Sequence, residues 1–232
     1  MNDNAEPATT NAKIVLKAPL SGPLVPIERV PDPVFAQKMV GDGISIDPLD
    51  QILRAPCAGE VVQLHSAGHA VTLATAGGIE VMMHIGLDTI DLKGEGFSPR
   101  VNSGDRVDVG DPLIEFDADY IATHARSLLT QIVITNGDRV AKFEPRSGTV
   151  KAAEDVILEL TLAGAEAEAK IQESKPIASE AIVIPNAEGL HARPAAVLAS
   201  VAKKFQADVR LQRGEDRANA KSVVSIMGME VN

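Results

Sequence analysis

Gly68-His69-Ala70-Val71-Thr72-Leu73-Ala74-Thr75-Ala76-Gly77-Gly78-Ile79-Glu80-Val81-Met82-Met83-His84 reads as one β-hairpin. Two short apolar or β-branched runs flank a Gly-Gly turn. Centred between Ala76 and Gly77, the hairpin sets Leu73 opposite Glu80, Val71 opposite Met82 and His69 opposite His84. Opposed side chains on antiparallel strands have Cβ atoms about 4.5–5.5 Å apart. The two imidazoles are therefore expected to touch on one sheet face. Two facing imidazoles suit three jobs. One ring can carry a phosphoryl group while the other donates a hydrogen bond to it. Both can ligate a metal ion, given a third ligand. Or they are polar residues at a sheet edge. Spacing alone leaves all three open.

Outward from the hairpin, more short strands are legible. They are Ile14 to Leu16, Gly59 to Leu64, Leu113 to Phe116, Gln131 to Ile134 and Val156 to Leu162. Turn signals separate them, among them Gly41-Asp42-Gly43, Ser103-Gly104-Asp105 and Asn136-Gly137-Asp138. The expected fold is mainly β, an antiparallel sandwich or barrel over residues 13–163, with one short helix within Asp117 to Ser127. Residues 1–12 read as a disordered tail. Residues 164–179, rich in Ala, Glu and Lys, read as a linker. If flexible, these sixteen residues span about 20–25 Å. Residues 180–232 differ in pattern, alternating strand and helix. A strand runs from Ala181 to Ile184, a helix from Ala192 to Lys204 and a strand from Asp208 to Gln212, and a second helix starts near Ser222.

Bulk composition bounds the function. Aromatics make up only 3% of the 232 residues and there is no Trp, which disfavours base stacking on nucleic acid. A net charge of -10 disfavours binding to nucleic-acid phosphates or anionic lipid. The single cysteine, Cys57, permits no internal disulfide and reads as a small residue in a turn. The start of the chain lacks a basic segment followed by an apolar one, and no apolar run approaches the roughly 20 residues of a membrane span. A cytoplasmic location is expected.

A second histidine stands in Gly189-Leu190-His191-Ala192-Arg193-Pro194-Ala195-Ala196. Pro194 belongs in a first helical turn, where its missing N–H is harmless. Leu198, Val201 and Phe205 continue an apolar helix face. His191 thus lies at a helix N-terminus, where free N–H groups and the dipole favour an anion, and Arg193 adds a cationic fork. A plain capping histidine fits that geometry equally well.

Longer motifs carry a resemblance. Val34-Phe35-Ala36-Gln37-Lys38-Met39-Val40-Gly41-Asp42-Gly43 and His84-Ile85-Gly86-Leu87-Asp88-Thr89-Ile90-Asp91-Leu92-Lys93-Gly94-Glu95-Gly96-Phe97 resemble the glucose-type enzyme IIA domain of the bacterial sugar phosphotransferase system. The likeness runs from Ile14 to Leu162. It implies that His84 is phosphorylated on the nitrogen remote from its backbone, that His69 supports the phosphoryl group, and that Asp88 stands close by. It places Val34, Phe35, Met39 and Val40 on a partner-docking rim. No cofactor is required, although such domains can bind zinc through the two histidines and a partner carboxylate. The chain departs from the family at Ala67, where a small hydroxyl residue is common, and at His65, Thr72 and Met82.

Gly189 to Ala195, and Asn219-Ala220-Lys221-Ser222 after it, resemble HPr, the histidine phosphocarrier of the same system. That implies phosphorylation of His191 on the ring nitrogen nearer the backbone. Ser222 matches a position that is regulatory in some HPr proteins, although an N-cap role explains it fully. The expected partial fold is an α+β open-faced sandwich, incomplete at its C-terminus, lacking a central strand and unstable alone. The two resemblances imply a phosphotransferase component. Phosphoryl groups would pass from enzyme I to His191, then to His84, then to a IIB/IIC permease during sugar uptake. The rivals are a regulatory binding module and a zinc protein.

Overall fold

The structure, a computed structural model, describes residues 12–163, 177–183, 190 and 192–229. The hairpin that anchors the sequence reading forms, from β6 (Ala70–Ala74) and β7 (Glu80–His84) as numbered below, but one residue out of the expected register. Ala70 pairs with His84, Val71 with Met83, Thr72 with Met82 and Leu73 with Val81. The turn is centred on Gly77, because the Thr75 N–H donates to the Ile79 carbonyl and the Gly78 N–H to the Thr75 carbonyl. Gly78 sits at φ +71, the left-handed position that closes a three-residue hairpin loop. A second adjacent glycine was available to fill that position, and it moved the centre by half a residue.

The elements of the first part are, in order, β1 (Lys13–Lys17), β2 (Gly22–Pro26), α1 (Pro33–Ala36), β3 (Asp42–Ile46), β4 (Ile52–Arg54), β5 (Gly59–Leu64), β6, β7, β8 (Phe97–Pro99), β9 (Arg106–Val107), β10 (Pro112–Phe116), α2 (Ala118–His124), β11 (Thr130–Ile134), β12 (Val140–Pro145), β13 (Thr149–Val150) and β14 (Val156–Leu162). An eight-stranded sheet has the order β13-β2-β3-β11-β7-β6-β5-β9. Two three-stranded sheets, β1-β14-β12 and β4-β10-β8, close over it. Every pairing is antiparallel, as the sequence leads one to expect.

Strand alternation sorts the side chains of the large sheet between two cores. Val71, Leu73, Val81, Met83, Ile44, Ile46, Ile132 and Ile134 face the main core with Leu16, Leu53, Leu113 and Leu158. The opposite face carries Met82 and Val133, which join Ile27, Val30, Val34, Phe35, Val40, Leu87 and Leu129 in a second cluster. Both faces of β7 are thus covered, which is why Val81-Met82-Met83 is apolar throughout rather than alternating.

The C-terminal part contains α3 (Ala192–Ala202), β15 (Arg210–Arg213), β16 (Asp216–Asn219) and α4 (Val223–Met227). β15 and β16 pair as a hairpin. Ala181 to Val183, expected to open a strand, are exposed and carry no ladder; Ile184 lies outside the described residues. Most of the expected tail and linker also lies outside them. The helix face that α3 buries differs from expectation. Ala195, Ala196, Ala199 and Ala202 are buried, whereas Val201 and Phe205 are exposed. Small alanine side chains let α3 approach the second cluster, where Ala195, Ala196, Ala199, Val223, Ile226 and Met227 pack with the residues of the first part.

Candidate functional site

His84 ends β7 on the face turned toward the second cluster, directly across from fully buried Gln131 of β11. His69 precedes β6 rather than belonging to it. It lies in the bend at 66–69, so strand alternation does not dictate where its ring goes. That is how the rings meet despite the shifted register: their centroids are 4.8 Å apart with planes at 71°. The His69 carbonyl accepts the Ile85 N–H, which ties the two backbones together beside the rings. Phe35 lies edge-on to His84 at 5.5 Å.

The tautomer of His84 follows from its surroundings. Its Nδ1 lies 2.9 Å from the Gly86 carbonyl oxygen, which can only accept, so Nδ1 carries the proton. Gly86 adopts φ +70, a left-handed turn that a β-carbon would oppose by meeting Thr89 and the Ser127 carbonyl. Nε2 therefore keeps its lone pair. Burial drives the His84 pKa down from 6.5 to about 4. The Gly86 hydrogen bond opposes that shift, the charge of His65 adds to it, and Asp32 and Asp88 oppose it. The ring is neutral at physiological pH, and a neutral imidazole with a bare nitrogen is a nucleophile.

His84 opens into a pocket whose walls include Asp32, Phe35, His65, His69, Asp88, Arg193 and Met227. Asp88 holds a left-handed conformation (φ +59) before a short 3-10 turn, Thr89–Leu92. Arg193 reaches in from α3. Its Nη2 is 2.7 Å from Asp32 and 3.5 Å from Asp88, and Arg126 stands 3.9 Å from Asp88. The structure thus brings His69, His84, Asp88 and Arg193 together across the two parts of the chain. His191 lies outside the described residues. Ser222 is not in the pocket; it caps α4, its Oγ accepting the Ser225 N–H at 3.2 Å.

The sequence reading missed Asp32. Its carboxylate is buried, caps α1 by accepting the Val34 N–H at 2.8 Å, and pairs with Arg193. Asp followed by Pro, an N-cap with proline at N1, was the available signal. Among the described residues, no group of three or more His, Cys, Asp or Glu side chains is arranged to hold a metal ion. The histidine pair alone offers two ligands, so a zinc ion would need donors from another molecule.

A β-sandwich with two imidazoles meeting at the end of a central hairpin, joined to a small α/β segment, defines the class: a phosphocarrier of the IIA type with an HPr-like extension. Comparison with known families and proteins agrees. Residues 14–140 match the family model described as phosphoenolpyruvate-dependent sugar phosphotransferase system, EIIA 1. Residues 178–232 match that described as PTS HPr component phosphorylation site. The chain is 48% identical over 151 residues to the glucose-specific EIIA component of Halalkalibacterium halodurans, covering 65% of this chain and 87% of that protein. It is 44% identical over 146 residues to that of Staphylococcus epidermidis, 62% of this chain and 88% of that protein. Among solved structures, glucose permease IIA from Mycoplasma capricolum superposes with a TM-score of 0.60 at 32% identity, covering 64% of this chain and 96% of that one.

The chain belongs to the EIIA 1 family of the phosphoenolpyruvate-dependent sugar phosphotransferase system, with an HPr-type segment following. These domains give it a phosphocarrier role in sugar uptake, within a system that transfers phosphoryl groups among enzyme I, HPr and IIB/IIC components. Among the described residues no helix is long and apolar enough to cross a membrane.

Proposed function

We propose that this chain relays phosphoryl groups from His191 to His84, and from His84 to a IIB-type acceptor, in the cytoplasm. The observation that carries the reading is Arg193. It lies two residues after His191 and sits in the pocket of His84, 2.7 Å from Asp32. The segment whose arginine is seated in this pocket belongs to the same chain as the site, and linkage within one chain raises its effective concentration there.

In the transfer step, Nε2 of His84 attacks phosphorus in line. The N–P bond to the donor imidazole breaks, and the donor ring leaves with that electron pair. His69 stands beside the nucleophile and donates a hydrogen bond to the phosphoryl oxygens. Arg193 balances the carboxylates of Asp32 and Asp88, which would otherwise repel an incoming phosphoryl group. Phe35 and Met227 form an apolar wall that keeps water away. No cofactor enters the scheme. Zinc held by His69, His84 and a partner carboxylate would be an addition, not a requirement. Ser222 is a secondary regulatory candidate, since phosphorylation there would disturb its cap. The relatives are described as glucose-specific, and glucose is accordingly the first sugar to try.

The test is labelled phosphoenolpyruvate with enzyme I and separate HPr. The parent chain should take label at two sites. His84→Ala should lose one of them, and His69→Ala should accept label but pass it on slowly. A folded parent that takes no label sinks the relay.

A further inference from the structure

The site holds a third imidazole. The ring of His65 lies 4.3 Å from that of His69, with planes at 52°, so three histidines stand in a row, His65–His69–His84. His65 lines the same pocket. It is fixed on three sides. Its Nδ1 accepts the Ala67 N–H at 3.2 Å, its own N–H donates to the Ala70 carbonyl at 2.9 Å, and its carbonyl accepts the Gly68 N–H at 2.7 Å. His65 is therefore part of a tightly bonded turn over residues 65–70 that leads into β6.

His69 has that turn as a wall on one side. Its backbone is held by the Ile85 N–H, but its ring projects from a bend, outside the strand that would otherwise set its direction. Aromatic rings flank it at 4.3 Å (His65), 4.8 Å (His84) and 6.2 Å (Phe97). His84 is the reacting ring and cannot also serve as a fixed stop. His65 is the nearest of the other two. A donor aimed at a phosphoryl group helps only if its orientation is set in advance by its neighbours.

We propose that His65 is a positioning residue for phosphoryl transfer at His84, acting through His69: the 65–70 turn presses its ring against His69 and holds that imidazole toward the phosphoryl group. This rests on the relay reading above.

The experiment uses the whole chain with His191→Ala, so that label sits on His84 alone, and follows single-turnover transfer from the phosphorylated chain to a IIB acceptor. His65→Ala should slow transfer by roughly tenfold, about the effect of one misdirected charge-assisted hydrogen bond, with the KM for the acceptor unchanged. His65→Phe keeps a ring against His69 and should restore most of the rate. In a His69→Ala background, His65→Ala should add nothing, because its effect travels through the missing ring. Three results would overturn the inference alone: a parental rate in His65→Ala, an equal loss in both backgrounds, or a change confined to KM. His84 of the His191→Ala chain is loaded by separate HPr; if the parent chain, with His191 intact, takes no label at His84, the relay reading itself falls, which is a separate outcome.

Discussion

His84 is a buried histidine whose chemistry is set by what surrounds it. Its pKa falls from 6.5 to about 4, chiefly through burial. A pKa depressed on folding means that the native state resists protonation while the unfolded chain does not. The associated stability is fully present above pH 6.5 and is lost as pH falls from 6.5 toward 4. The loss is on the order of 3 kcal/mol. Denaturant unfolding at pH 7 and pH 4.5 should show a decline that is larger in the parent than in His84→Gln. Phosphoryl acceptance at His84 should stay level from pH 8 to pH 5 and drop only near pH 4, measured as the initial rate of labelling. Asp32 acts at the same scale. Asp32→Asn keeps the cap of α1 but removes the charge facing Arg193. We expect near-parental stability and slower transfer between the two parts of the chain, followed by the rate at which label reaches His84. Cys57, by contrast, is buried with its thiol pushed up to about 12, which makes it inert toward alkylating reagents in the folded chain.

At the scale of elements, the β6–β7 hairpin positions both histidines, and its loop sets the register. Gly78→Ala forces a β-carbon into left-handed backbone and should lower stability by about 1–2 kcal/mol. Gly78→Asn should be milder, since Asn tolerates that conformation better. Thermal unfolding of the two variants decides it. The hairpin shows what local sequence can and cannot say. Two apolar runs around Gly77-Gly78 make the hairpin itself unmistakable. The choice between a turn centred on Gly77 and one centred beside it depends on which glycine takes the left-handed position, and both are glycine. The imidazoles nevertheless meet, because His69 lies outside the strand and escapes its alternation. Close contact of the two rings was therefore a correct expectation reached through a register that the structure corrects.

For the whole molecule, the second hydrophobic cluster is the defining feature. It joins Phe35, Val40, Met82 and Val133 of the sandwich to Ala196, Val223 and Met227 of the C-terminal part. Ala196→Glu should break this seating, because a carboxylate would be forced into an apolar contact without a partner. Backbone amides of residues 33–40 should then exchange hydrogen faster, while those of the main core, such as Val81 and Ile132, stay protected. Unchanged exchange at residues 33–40 would show that the seating does not depend on α3. The β-rich class of the first part, the change of pattern after residue 163 and the two histidine motifs follow from the sequence by itself, because hydrophobic periodicity, turn residues and motif spacing are local properties. Only the tertiary structure decided that Asp32 faces Arg193, that the ring of His65 lies against His69, and that α3 buries its alanines rather than Val201 and Phe205. Those outcomes depend on which distant surfaces meet, and contact between residues 161 positions apart leaves no signature in either stretch of chain.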